Sequence, residues 1–254
     1  MKALLALFSM IALPIAGSAQ NHDAAAPGRV VVPFDVGEQL VYDAKFGAIK
    51  VGTARMLVEE IDTLRGYEAW HTAFQIKGGT FFYRLEDSYE SWFDTRTFGS
   101  LRHIQDVDQG SYERTRTFEI FPDRQVYTEN DSEERESVPE PLDDGSFLYF
   151  IRTIPFSVGQ SYDFNRYFRP DRNPVTIRVL RKERVKVPAG TFDCIVIRPI
   201  IKSRGIFSEG GEAEIWISDD DRRIMVQLKS KLKFGSLNLY LKSYTPGNGQ
   251  PSGS

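Results

Sequence analysis

Apolar and polar positions alternate with a period of two along most of the chain. Leu40, Tyr42, Ala44 and Phe46 fall on one face of a strand, with Val41, Asp43 and Lys45 on the other. The same signature recurs near residues 51–61, 67–76, 81–93, 97–107, 112–121, 124–129, 161–168, 175–187, 191–201, 211–218, 223–233 and 237–244. Short polar or Gly/Pro-bearing turns separate these stretches, which predicts an all-β, antiparallel domain of many strands. Alternation specifies faces and not closure, so a barrel, a half-barrel and a sandwich all stay open.

One stretch departs from this period. It is Ser146–Thr153, which follows Asp143-Asp144-Gly145, and Leu142, Phe147, Phe150 and Ile151 approximate helical spacing. A short apolar helix is expected there, capped by Asp144 or Ser146 and plugging the sheet. A hairpin is expected around Asp219–Arg222. Pairing Ser218 with Arg223 sets Ile217 opposite Ile224, Ile215 opposite Val226, and Ala213 opposite Leu228. The same register sets Trp216 opposite Met225 and Glu212 opposite Lys229, leaving one face aliphatic.

The ends of the chain read differently. Lys2, the apolar run Ala3–Ala16 and the small residues Gly17-Ser18-Ala19 have the form of a cleavable secretory signal over residues 1–19. That run is too short for a stable membrane span, and no later stretch reaches the roughly 20 apolar residues needed. Residue 20 is Gln, so the lipid-attachment cysteine of a bacterial lipoprotein is absent. The expected product is soluble and exported, and periplasmic in a cell with two membranes. Residues 20–33 are expected to form a flexible leader, 34–245 one β-rich domain, and 246–254 a disordered Pro/Gly/Ser-rich tail.

Composition narrows the function classes. The 254 residues carry a net charge of −3, which lacks the basic excess of a general nucleic-acid binder. Cys194, the single cysteine, excludes an intramolecular disulfide and sits in a strand-like run, Thr191–Ile197, that reads as buried and inert. Charge is segregated: residues 129–144 are strongly acidic and read as an exposed loop. Arg166, Arg169, Arg172, Arg178 and Arg181 follow in a basic stretch. Solvated loops and strand faces explain such runs more simply than a partner surface does.

The catalytic inventory is sparse. The three histidines, His22, His71 and His103, have no second His or Cys at metal-ligand spacing, and no nucleophile elbow, phosphate loop or dinucleotide fingerprint is present. No cofactor or metal is therefore assigned. A Ser–His–Asp site assembled from distant strands stays possible, since triads are spatial. Paired carboxylates beside a Trp could hydrolyse glycosides: Asp87 with Glu90 or Asp94 near Trp92, and Glu212 with Glu214 near Trp216. Packing residues flanked by solvated charges are the commoner reading of both.

Several motifs, in order, carry a resemblance. They are Phe34-Asp-Val-Gly-Glu-Gln-Leu-Val-Tyr42, Phe46-Gly47, Val51-Gly52-Thr53-Ala54 and Asp144-Gly-Ser-Phe-Leu-Tyr-Phe-Ile-Arg152. Val187-Pro-Ala-Gly-Thr-Phe-Asp-Cys194, Glu214-Ile-Trp-Ile-Ser-Asp-Asp220 and Phe234-Gly-Ser-Leu237 complete the set. Together they resemble the exported bacterial domain-of-unknown-function family 3108, over roughly Phe34 to Tyr244. That resemblance implies an exported β-rich envelope protein and supplies no catalytic residue. Gly37, Glu38, Gly47, Gly52 and Gly190 belong to these motifs, and the glycines suit turns or close backbone approach.

Three functions follow as expectations. The first is a non-enzymatic envelope protein whose curved sheet holds an apolar, lipid-like ligand, with Tyr42, Trp92, Trp216 and Met225 as candidate contacts. The second is an assembly or structural factor acting through its surface on an envelope protein partner. The third is a carbohydrate-active protein using a Trp-flanked acid pair. An open apolar interior favours the first; a filled core favours the second.

Overall fold

Alternating stretches joined by short turns pair with their sequence neighbours, and this chain does so almost throughout. A computed structural model describes residues 32–80, 83–201, 213–230 and 236–248. The expected signal over 1–19, most of the leader and residues 249–254 of the tail lie outside the described residues. The first half of the meander comprises β1 (Gln39–Phe46), β2 (Ile49–Leu64), β3 (Tyr67–Thr80), β4 (Tyr83–Asp94), β5 (Ser100–Gln109), β6 (Tyr112–Phe121), β7 (Val126–Glu129) and β8 (Arg135–Glu136). After a helix α1 (Asp144–Phe150) come β9 (Ser161–Phe164), β10 (Val175–Val187), β11 (Gly190–Ile200), β12 (Glu214–Ser218), β13 (Met225–Lys229) and β14 (Leu237–Thr245).

All fourteen strands form one antiparallel sheet in the order β8-β7-β6-β5-β4-β3-β2-β1-β14-β13-β12-β11-β10-β9. The two ends of the domain meet in the middle of it, where β1 pairs with β14. Laid flat, β8 and β9 would stand about 60 Å apart at the usual strand spacing. Instead, the segments following them bond to each other. Leu142 N donates to Arg166 O at 2.5 Å, and Phe168 N to Leu142 O at 2.9 Å. Ser137 Oγ donates to Phe168 O at 2.8 Å. The sheet is therefore rolled into a barrel-like shell whose ladder is not closed, and loop contacts stitch the gap.

The β8–β9 connection carries α1 into the concave face. Its cap is Asp143, one residue before the expected Asp144: Asp143 Oδ1 accepts from Gly145 N at 2.7 Å and Ser146 N at 2.9 Å, and Ser146 Oγ accepts from Asp143 N at 2.9 Å. This reciprocal capping box satisfies first-turn donors that a buried helix could not leave bare. Tyr149 then packs on Phe34 and Phe93, with ring centroids 4.9 and 5.8 Å apart.

Two local expectations are corrected. The hairpin is shifted: Ile215 faces Leu228, Trp216 faces Gln227 and Ile217 faces Met225, with a bulge between Trp216 and Ile217. Turn chemistry sets this register. Ser218 Oγ bonds both Asp220 Oδ1 and Ile224 N, while Asp220 Oδ1 accepts from Arg222 N. Within the acidic stretch, Arg135–Glu136 pairs with Val126 and Tyr127 as an edge strand rather than lying in a loop. Beyond β14, Asn248 N donates to Val36 O at 2.8 Å.

Candidate functional site

Burial along the concave face locates the open part of the shell. On β4 the inward side chains run from Phe93 and Ser91, both fully buried, to half-buried Tyr89, then Asp87 and half-buried Leu85. On β3 the sequence is Trp70 and Thr72, buried, then half-buried Phe74 and buried Ile76. On β5 it is buried His103, then half-buried Gln105, Val107 and Gln109. On β6, Ile120 and Phe118 are buried, Arg116 is half-buried and Arg114 exposed. One end is filled by α1; the other is open, with an amphipathic lining.

At the filled end, Ser91, His103 and Asp143 meet. Ser91 Oγ donates to Asp143 Oδ1 at 2.6 Å and lies 3.2 Å from His103 Nδ1. This is not the geometry of a nucleophile and its base. Glu90 O, 2.8 Å from His103 Nδ1, can only accept, so Nδ1 carries the proton. His103 Nε2 accepts from Gln105 Nε2 at 3.0 Å. The serine therefore has no free imidazole nitrogen to take its proton, and His103 and Asp143 are 0% exposed. The trio anchors the helix cap to β4 and β5.

Arg152, at the end of the helical segment, is buried against Glu38. Its Nη1 and Nη2 reach Glu38 Oε1 and Oε2 at 2.5 and 2.9 Å. The remaining donors reach Pro33 O, Arg222 O and Arg223 O at 3.0–3.1 Å. Burial works against this charge, but the Glu38 carboxylate outweighs it and holds the guanidinium above its ordinary pKa. A shallow cleft of about 570 Å³ beside it, walled by Val32, Pro33 and Asp219–Asp221, opens to solvent.

Toward the open end, polar side chains continue from strand to strand. Gln105 Nε2 donates to Asp144 Oδ2 at 3.2 Å, and Tyr167 OH donates to Asp144 Oδ1 at 3.0 Å. Gln109 Nε2 donates to Asp87 Oδ2 at 2.6 Å, while Asp87 Oδ1 is buried with no partner. Burial is the main cause that raises the Asp87 carboxyl above its usual range. Arg116 Nε reaches Glu129 Oε1 at 2.8 Å, carrying the band to β7. Phe74 and Tyr89, with ring centroids 6.3 Å apart, supply the neighbouring apolar wall.

Of the candidate contacts read from sequence, Tyr42 and Met225 come together, Tyr42 OH donating to Met225 O at 2.9 Å. Both are buried, and burial pushes the Tyr42 hydroxyl far above its ordinary pKa. Trp92 lies on the outer face, its ring stacked 4.0 Å from His71. Trp216, on the face opposite Ile215 and Ile217, sits under Arg181 and Lys229. Gly37, Gly47 and Gly190 have positive φ, as tight turns require, and Glu38 holds Arg152. Gly52 faces Gly78 so closely that a Cβ on either would enter the other strand's backbone.

Asp87 and Glu90 do not assemble as an acid pair. Asp87 points into the shell with Gln109, whereas Glu90 on the outer face accepts from or pairs with His71 Nε2 at 3.0 Å. Glu214 is bound by Arg181 and Arg198 at 2.9 and 2.7 Å, and Glu212 lies outside the described residues. Cys194 is buried, which pushes its thiol up to about 12. Among the described residues no group of three His, Cys, Asp or Glu side chains could hold a metal, and no helix is long and apolar enough to cross a membrane. Phe74, Tyr89, Gln105 and Tyr167 are not picked out by the sequence, and Asp144 is picked out only as a cap candidate. The inward alternation Leu85-Asp87-Tyr89 was their available signal, eclipsed by the acid-rich alternate face.

Comparison with known proteins locates the fold. A β-barrel-like protein of the DUF1849 family from Brucella abortus superposes with a TM-score of 0.57 at 10% identity, covering 86% of this chain and 100% of its own. A putative lipoprotein from Parabacteroides distasonis gives a TM-score of 0.38 at 12% identity, over 84% of this chain and 98% of that one. A DUF1089 protein from Pseudomonas aeruginosa gives 0.42 at 10%, over 71% and 90%. No curated protein matches. The model of the family described as "Protein of unknown function (DUF3108)" matches residues 41–242, and the chain belongs to that family.

Proposed function

We propose that this is an exported envelope protein that holds a lipid-like molecule, without chemistry, in the open half of its rolled sheet. The observation that carries the reading is the loss of burial along the inward faces of β4, β5 and β6, interrupted by buried Asp87 and its cross-strand neighbour Ile76. Phe74, Leu85, Tyr89 and Val107 point inward but stay half-buried, beside Gln105, Gln109 and Asp144. Apolar walls with a few converging polar groups are the usual lining of a ligand site. Export rests on the signal-like residues 1–19. The reading without a catalytic role rests on the buried, proton-bearing Nδ1 of His103 and the separation of Asp87 from Glu90.

The alternative, an assembly factor working through segregated charge, draws less support. The acidic and basic stretches meet each other: Glu129 pairs with Arg169 at 3.3 Å, and Arg166 Nε donates to Glu140 O at 2.7 Å. They are thus partly spent on stitching the gap in the sheet. Titration with a polyene fatty acid that fluoresces on desolvation tests the ligand reading. Saturable one-to-one binding is expected, weakened at least about tenfold by Phe74→Asp. Unsaturable binding, or binding indifferent to Phe74→Asp in a folded variant, counts against it.

A further inference from the structure

The open half of the concave face ends in a concentration of charge that the fold alone does not require. Glu129 is approached by four guanidinium groups: Arg116 at 2.8 Å, Arg169 at 3.3 Å, Arg114 at 3.5 Å and Arg135 at 3.8 Å. Arg172 lies beside Arg169 and, among the described residues, pairs with no carboxylate; its Nη1 donates only to Tyr167 OH, at 3.1 Å. Four cations thus share one carboxylate, with a fifth beside them. Of the other acids, Asp144 accepts from Tyr167 and Gln105, and Glu134 pairs with Arg124.

This excess is held in place rather than dispersed. Arg169 is largely buried, its guanidinium 5.0 Å from the Phe118 ring and 5.3 Å from that of Phe168. Its Nε is buried with no acceptor. Burial first, and then the adjoining Arg172 charge, depress its pKa, so holding the cation here is costly. Arg116 is fixed over Phe118 at 4.7 Å. Planar guanidinium forks stacked on aromatic rings, with donors left over, are suited to oxyanions that accept from several directions.

We infer that the arginine cluster around Glu129 binds a phosphate-type dianion at the mouth of the concave face. This deepens the proposed function, on which it rests for the tail: in that reading the dianion is the headgroup of the bound lipid. A single carboxylate would leave most of the excess charge unmatched, whereas a phosphate monoester brings two charges and three acceptor oxygens. Glu129 then acts as an internal counter-ion that holds the arginines together while the site is empty of ligand.

The test measures binding of three probes to the full chain by calorimetry: lysophosphatidic acid, lysophosphatidylcholine with the same acyl chain, and inorganic phosphate. Lysophosphatidic acid is expected to bind at least about tenfold more tightly than the zwitterionic lipid, with affinity falling as salt rises. Arg114→Gln with Arg135→Gln, both exposed positions, should remove about tenfold of that preference. Glu129→Gln should strengthen phosphate binding, an effect a purely structural carboxylate would not produce. Binding of inorganic phosphate without either lipid would support the dianion site and remove the lipid reading. Equal affinity for the two lipids would overturn the dianion site and leave the lipid reading standing. Binding of none of the three would overturn both.

Discussion

Replacing Arg152 by Met removes the cation that joins three parts of the shell. Arg152 and Glu38 are each 1% exposed, so the substitution leaves a carboxylate buried without its counter-charge. Breaking a buried ion pair from one side costs about 3–5 kcal/mol. The carbonyls of Pro33, Arg222 and Arg223 each lose a donor as well, which places the loss at the upper end of that range. For a domain of this size each kcal/mol lowers Tm by about 2–4 °C, so a fall of roughly 10–20 °C is expected. Glu38→Leu combined with Arg152→Met takes away both charges, and the double variant should recover most of the loss. Urea unfolding of the two single variants and the double variant reads the coupling directly. A single-variant loss below about 1 kcal/mol, or a double variant no more stable than Arg152→Met, would refute the ion pair as the clamp between α1, the start of β1 and the β12–β13 turn.

Three further outcomes follow from the same geometry. Because burial raises the folded-state pKa of Asp87, its ionisation takes stability away as pH rises above the unfolded value of about 3.9. Asp87→Asn should therefore stabilise at pH 7 with a gain that fades toward pH 4; an equal gain at both pH values contradicts this. Ser91 should resist a fluorophosphonate reagent, and Ser91→Ala should lose about 1–2 kcal/mol through the helix cap. Covalent labelling of the folded protein would overturn the capping role. Cys194, its thiol pushed up to about 12 by burial, should react with a maleimide only on unfolding, in step with the urea transition. Rapid reaction in native buffer is the contrary result.

The strands were legible because each buries one face, and a period of two cannot be mistaken over eight or more residues. What alternation could not supply was register and depth. Ile215 satisfies the aliphatic face opposite Val226 or Leu228 alike, and the choice fell to Ser218 and Asp220 in the turn. Arg135–Glu136 carries no apolar residue at all, so its pairing at the sheet edge left no trace in the pattern. Arg169 looks like part of a solvated basic run because its ring and carboxylate partners, Phe118 and Glu129, are far from it in sequence. Tyr42 points inward, yet in the filled region; burial depth there depends on contacts across the whole roll.

The most direct test of the account is native mass spectrometry of the full protein taken from its own cell envelope, followed by solvent extraction. A bound species in one-to-one ratio is expected, extractable as an amphipathic lipid and absent from a folded Phe74→Asp variant. Protein of bare mass under conditions that preserve other lipid complexes, with no extractable lipid, would contradict the claim that the open half of the rolled sheet is a lipid site.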